Sequence, residues 1–176
     1  MSGCLRMTGL DGGAVAIVSG GCCGAGREVA RRLAAASYWV VVVYLEDQGG
    51  AEAAVEEIVA AGGTAVAVRA DLTDELDVER LFTETVAAFG GVDAFVHTTT
   101  RAAPALYQHA ARRLRRGGAI VSAFATDGIT PQVAERLRER DVTVNGVPPG
   151  LEPPGGAHDA GELLALLERW RRRPDD

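Results

Sequence analysis

Val15 to Ala30, read as VAIVSGGCCGAGREVA, is the stretch whose residue types most directly specify chemistry. A β-branched apolar run meets glycines at positions 20, 24 and 26 and passes at once into a helical pattern. Glycine lets the main chain turn tightly and approach a phosphate closely. The amides and positive dipole end of the following helix then favour an anion. The same turn carries adjacent thiols, Cys22 and Cys23. A helix N-terminus lowers a thiol's pKa, so redox chemistry is one reading of the pair; small residues filling a tight turn is the simpler one. The remaining candidates are single residues. His97 ends an apolar run and could serve as a base, although a neutral hydrogen-bonding histidine is the commoner case at a strand end. Tyr107 stands ahead of Arg112 and Arg113, which could lower a phenol's pKa, against the plainer reading of a half-buried aromatic. Ser122 and Thr126 could hydrogen-bond a ligand, or simply satisfy local backbone groups.

These residues need elements to hold them, and the chain alternates short β-branched runs with longer stretches of helical period. The pattern predicts strands at Ala14 to Val18, Trp39 to Tyr44, Thr64 to Arg69, Val92 to His97, Ala119 to Phe124 and Val142 to Val147. Helices are expected over Gly24 to Ala36, Ala51 to Ala61, Pro104 to Arg116, Pro131 to Arg140 and Asp159 to Trp170. Another is marked by Val78, Leu81, Phe82, Val86 and Phe89 on one face, with Thr73 as its cap ahead of the acids Asp74 and Glu75. Runs such as Val40-Val41-Val42-Val43 are apolar at every position, as strands buried on both faces must be. The expected architecture is therefore α/β: a single Rossmann-like doubly wound parallel sheet of about six strands flanked by helices. A polar tail over residues 1–13 precedes one domain over 14–176, with the Pro- and Gly-rich run from Pro148 to Gly156 read as a loop before the last helix. The clusters Arg112-Arg113 with Arg115-Arg116, and Arg171 to Arg173, are expected as solvated cations in the last turns of helices.

Composition narrows the function. A chain of 176 residues leaves no room for a separate substrate domain, and 47% hydrophobic with 24% charged residues is ordinary for a globular fold. A net charge of −6 argues against a nucleic-acid backbone as the main partner. Cys4, Cys22 and Cys23 are too few and too unevenly spaced for a disulfide framework or a zinc site, which fits a reduced, cytoplasmic setting. The longest apolar stretch, Tyr38 to Leu45, is too short to span a membrane. Every basic residue among the 18 is arginine, because the sequence contains no lysine.

The chain resembles the short-chain dehydrogenase/reductase family. That family's phosphate loop, TGxxxGxG, appears as Ser19-Gly20 through Gly24-Ala25-Gly26. Ala70-Asp71-Leu72 stands where the family has an Asp and an aliphatic residue against adenine. Val92-Asp93-Ala94-Phe95-Val96 is similar to its fourth strand, and Val142 to Gly150 to its sixth strand with the Pro-Gly that closes over nicotinamide. The resemblance runs roughly from Ala14 to Gly150. It implies a diphosphate over Gly20 to Gly26, including Cys23, with adenine near Asp71 and Leu72 and ribose near Tyr44. Nicotinamide would lie near Pro149 and Gly150. His97-Thr98-Thr99-Thr100 replaces the family's Asn-Asn-Ala-Gly, which puts His97 and Thr98 beside the cofactor and the bulk of Thr100 next to the adenosine ribose.

The family transfers hydride between a nicotinamide and a carbonyl or alcohol, using a Ser, a Tyr and a Lys four residues after the Tyr. A phenol titrating near 10 exchanges protons at neutral pH only when an adjacent ammonium lowers it. No lysine exists here to do so. Ala125 falls at the catalytic Ser position, and Thr126 to Thr130 leads straight into the next helix, so the Tyr-Lys segment is skipped. No catalytic residue is assigned. The resemblance thus implies an NAD(P)-binding oxidoreductase whose own activity is in question. The alternative is a non-catalytic dinucleotide-binding or partner subunit, associating as a homodimer or with a complete paralogue. Tyr44, Leu45, Glu46 and Asp47 offer acids and no arginine at the ribose, which favours NAD over NADP.

Overall fold

The computed structural model describes residues 13–100, 105–125 and 129–147, together with helical residues 161, 163 and 165. Strand β1 (Val15–Ser19) is buried along its full length. It is followed by α1 (Gly24–Ala35), β2 (Trp39–Tyr44), α2 (Gln48–Ala60), β3 (Thr64–Arg69), α3 (Glu75–Phe89) and β4 (Val92–His97). Then come α4 (Leu106–Arg113), β5 (Leu114–Ala125), α5 (Pro131–Glu139) and β6 (Thr143–Val147). The strands form one sheet in the order β3-β2-β1-β4-β5-β6, and every pairing is parallel. This is the doubly wound order, with its reversal between β1 and β4.

Alternation along the strands sends side chains to two separate cores. Ala16, Val18, Val40, Val42 and Val96 pack under α1 and α2, where Leu33 and Ile58 close the layer. Leu163 joins the same core. On the other face, Ile17, Val41, Phe95 and Ile120 meet Leu81 and Phe82 of α3, Leu106 of α4 and Leu137 of α5. Phe82 and Phe95 are fully buried with ring centroids 5.6 Å apart. Burying each contributes about 2–3 kcal/mol. The uniformly apolar strands are therefore explained by helices on both sides of the sheet.

Two expectations need correcting. The cap of α3 is Asp74, whose Oδ1 accepts from Leu76 N–H at 2.8 Å and Asp77 N–H at 3.4 Å. Thr73 instead donates through its amide and hydroxyl to Asp71 Oδ1, at 2.8 and 2.7 Å. Asp74→Ala is expected to cost about 1 kcal/mol in chemical denaturation, and Thr73→Ala less. The second correction concerns α4, which ends at Arg113 and does not reach Arg116. Leu114 turns extended, pairs with Val92 and buries its side chain completely. Arg115 and Arg116 consequently leave the helix. Arg115 pairs with Asp93 at 2.9 Å, and Arg116 with Asp141 at 3.0 Å. Arg112 and Arg113 do occupy the last turn of α4.

The expected tail over residues 1–13, except for Gly13, lies outside the described residues. So do Cys4, the loop from Pro148 to Gly156 and Arg171 to Arg173. The helix expected over Asp159 to Trp170 is described only at its three helical positions.

Candidate functional site

The carboxyl ends of β1 to β4 and the side of β5 border one cleft of about 480 Å³. Gly20, Cys22, Cys23, Gly24, Ala25 and Gly26 form its floor. Val43 to Asp47 line one wall and Ala70 to Leu72 another, with Thr98 to Thr100 and Ala123 opposite. It lies where the strand order reverses, the place at which an open α/β sheet receives ligands.

The three glycines of the turn have different physical reasons. Gly20 has φ +67, and a Cβ there would stand 2.7 Å from Thr98 Oγ1. Gly26 brings the first turn of α1 against the loop, since a Cβ would lie 2.7 Å from both the Gly20 carbonyl carbon and Thr98 Oγ1. Gly24, at φ +51, is the open one: a Cβ would meet nothing within 4 Å. Thus Gly20 makes the turn, Gly26 permits close packing, and Gly24 leaves bare main chain facing the cleft.

Helix α1 begins at this bare position without a side-chain cap or an acid in its first turn. By contrast, α2, α3 and α5 are capped by Asp47, Asp74 and Thr130. The start of α1 therefore keeps its positive dipole end and its first amides available for an anion. Arg27, the nearest cation on the helix, is held by Glu57 of α2 at 2.6 Å. The residues fit a dinucleotide diphosphate: an open glycine, an uncapped helix start and a cleft long enough to reach Asp71.

Of the residues assigned to cofactor binding, Gly20, Cys23, Gly24, Ala25, Gly26, Tyr44, Asp71, Leu72 and Thr98 line this cleft. Ser19 and His97 do not. They pair in the sheet, with Ser122 next in the same row, and all three side chains are buried. Ser19 Oγ lies 3.0 Å from His97 Nδ1 and accepts from Thr98 N–H at 3.0 Å. Thr98 Oγ1 also donates to the Ser19 carbonyl. Burial pushes His97 down to about 4. This supports the neutral, hydrogen-bonding reading of His97. Pro149 and Gly150 lie outside the described residues.

Tyr107 is buried, with its hydroxyl donating to Ser122 Oγ at 3.4 Å, while Arg112 is exposed. Neither Tyr107 nor Ser122 borders the cleft, and Thr126 is outside the described residues. Cys22 does not show the lowered thiol that a helix N-terminus would give. Burial, then the neighbouring Cys23 and Asp47, push its thiol up to about 11. Among the described residues there is no group of three or more metal-ligating side chains.

Sequence reasoning missed Val43, Ala70 and Ala123 in the walls, and Arg69 at the rim. Arg69 Nε donates to the Leu45 carbonyl at 3.1 Å, beside the acidic run. The signal was register: Arg69 sits opposite Tyr44 across the β2–β3 pairing.

The strand order, the glycine turn and the cleft at the reversal define a Rossmann-type nucleotide-binding domain. The family model described as short chain dehydrogenase matches residues 14–114. The chain belongs to the short chain dehydrogenase family. Hydroxynaphthalene reductase-like protein Arp2 of Metarhizium majus (strain ARSEF 297) is 32% identical, with 51% of this chain and 49% of that protein covered. The chain thus spans about half the length of the curated relative it matches. A short chain dehydrogenase from Burkholderia cenocepacia J2315, solved in complex with NADP, aligns with TM-score 0.71 and 27% identity over 89% of both chains. A dehydrogenase/reductase from Sinorhizobium meliloti 1021 aligns with TM-score 0.67 and 27% identity, over 90% of this chain and 87% of that one.

Proposed function

We propose that this chain, folded as one domain over residues 14–176, binds NAD(H) in the β1–α1 cleft and does not perform the family's hydride transfer by itself. The observation that carries the binding half is Gly24, open to the cleft at the start of an uncapped helix. A bound nicotinamide would supply or accept hydride. The protein must then supply a proton donor, and the lysine-free sequence has no ammonium to tune a tyrosine. His97 and Tyr107 are buried and do not line the cleft.

The chain would then serve as a dinucleotide-binding subunit in the cytoplasm, associating with itself or with a complete paralogue. A second reading, an oxidoreductase with its own turnover on a carbonyl or alcohol, is supported by the reductase-like relative and the NADP-bound neighbour. Fluorescence titration with NADH and NADPH, followed by a turnover assay on a panel of carbonyls, separates the two. Binding without turnover is expected; turnover by the purified chain would establish the second reading.

Glu46 and Asp47 face the cleft where an adenosine ribose would sit, and carboxylates accept from its free hydroxyls. They repel a 2′-phosphate. Two arginines stand near this wall, and both are engaged: Arg69 by the Leu45 carbonyl, and Arg27, which also feels Asp47, by Glu57. NADH is therefore expected to bind more tightly than NADPH, by about tenfold in the same titration. Equal or reversed affinities would show that Arg69 turns to the phosphate.

A further inference from the structure

Cys22 and Cys23 follow one another in the floor of the cleft, between Gly20-Gly21 and Gly24. Their sulfurs are 3.8 Å apart, with Cys23 exposed and Cys22 half-buried. Cys23 is also the residue on which α1 begins. We propose that these thiols form a reversible disulfide that closes the anion-binding turn, so that a mild peroxide-class oxidant shuts the cofactor cleft. The proposal rests on the dinucleotide reading above.

The exposed Cys23 thiolate attacks the peroxide, forming an S–O bond as the O–O bond breaks, and becomes a sulfenic acid while the oxidant leaves as water. Cys22, after losing its proton, attacks that sulfur and expels the second oxygen as water. The two sulfurs together lose two electrons, which reduce the peroxide. The raised thiol of Cys22 makes this second step faster as pH rises.

Adjacent residues joined by a trans peptide have Cα atoms about 3.8 Å apart, below the usual range of about 4.4–6.8 Å for a disulfide. The bond is therefore strained and easily reduced, as a switch requires. The strain must be taken up by the neighbouring backbone. Glycines on both sides yield most readily, and Gly24 lines the cleft at the start of α1. Closing the ring would shift this main chain and the start of α1 away from the diphosphate. No other described thiol is within reach to compete.

The test uses the full chain with Cys4→Ser, treated with hydrogen peroxide and then with dithiothreitol. Mass spectrometry of the peptide holding both cysteines should show loss of two hydrogens, reversed by reductant. NADH affinity should fall about tenfold on oxidation and recover on reduction. Cys22→Ala should show no loss of two hydrogens. Two free thiols after treatment, a bond to another chain, or a bond that leaves NADH affinity unchanged would each overturn the proposal. A reduced protein that forms the bond but never takes up NADH would overturn the cofactor reading and the gate together. The disulfide itself would remain established by mass.

Discussion

Gly26→Ala is expected to lower stability by about 3 kcal/mol and the melting temperature by roughly 10 °C. The added methyl would press on the Gly20 carbonyl group and on Thr98 Oγ1, with the carbonyl carbon and Oγ1 each only 2.7 Å from the Cβ position. Thr98 cannot retreat cheaply, because its amide and hydroxyl are both bonded to Ser19 of β1. The loop and the first turn of α1 must separate instead, which also spoils the cleft. Gly49→Ala is the control: no atom lies within 4 Å of its Cβ position, so the same substitution should be neutral or slightly stabilising. Thermal melts of the two variants give the comparison. An unchanged melting temperature in Gly26→Ala would mean that the helix does not need its close approach to the turn.

Acid should destabilise the protein through His97 by roughly 3 kcal/mol between about pH 7 and about pH 4. Its folded pKa, about 4, is below the ordinary value of 6.5 because the ring is buried. The unfolded chain therefore binds the proton first as pH falls. Stability from this group is fully present above 6.5 and is lost on descending toward 4. The groups around the ring are Ser19 of β1, Phe95 of β4 and Tyr107 of α4, and none of these carries a charge at neutral pH. His97→Asn keeps a hydrogen-bonding side chain but removes the titration. Urea unfolding at both pH values should show a smaller acid loss in the variant than in the parent, by roughly the same 3 kcal/mol. Equal losses would mean that His97 takes up its proton in the folded state without penalty.

Local chemistry made the glycine turn legible from sequence. Strand β1, the bend and the start of α1 are consecutive, and each glycine has a reason that depends on near neighbours. The double burial of the sheet was legible too, because Val40 to Val43 are apolar on both alternating sides. The boundary at Leu114 was not. It depends on pairing with Val92 and on burial beneath α3 to α5, contacts distant in sequence that overrode a helical pattern running through the arginines. Ser19 and His97 were misplaced for a related reason. Motif position locates them at the ends of strands, but strand alternation turns their side chains into the α3–α5 side, leaving only neighbouring backbone to meet the cleft. Arg69 beside Leu45 likewise required the register of β3 on β2.

The central claim is that bare main chain at the start of α1 grips the diphosphate of a dinucleotide. Calorimetric titration of the parent, Gly24→Asn and Gly24→Asp with NADH tests it most directly. Asn and Asp tolerate the left-handed backbone at φ +51 better than other side chains, and a Cβ there would meet nothing within 4 Å. Their shapes match, so charge is the difference between them. One NADH per parent chain is expected, with weakened binding in Gly24→Asn and none detectable in Gly24→Asp. Binding by Gly24→Asp equal to that of Gly24→Asn, or no binding by the parent, would contradict the account.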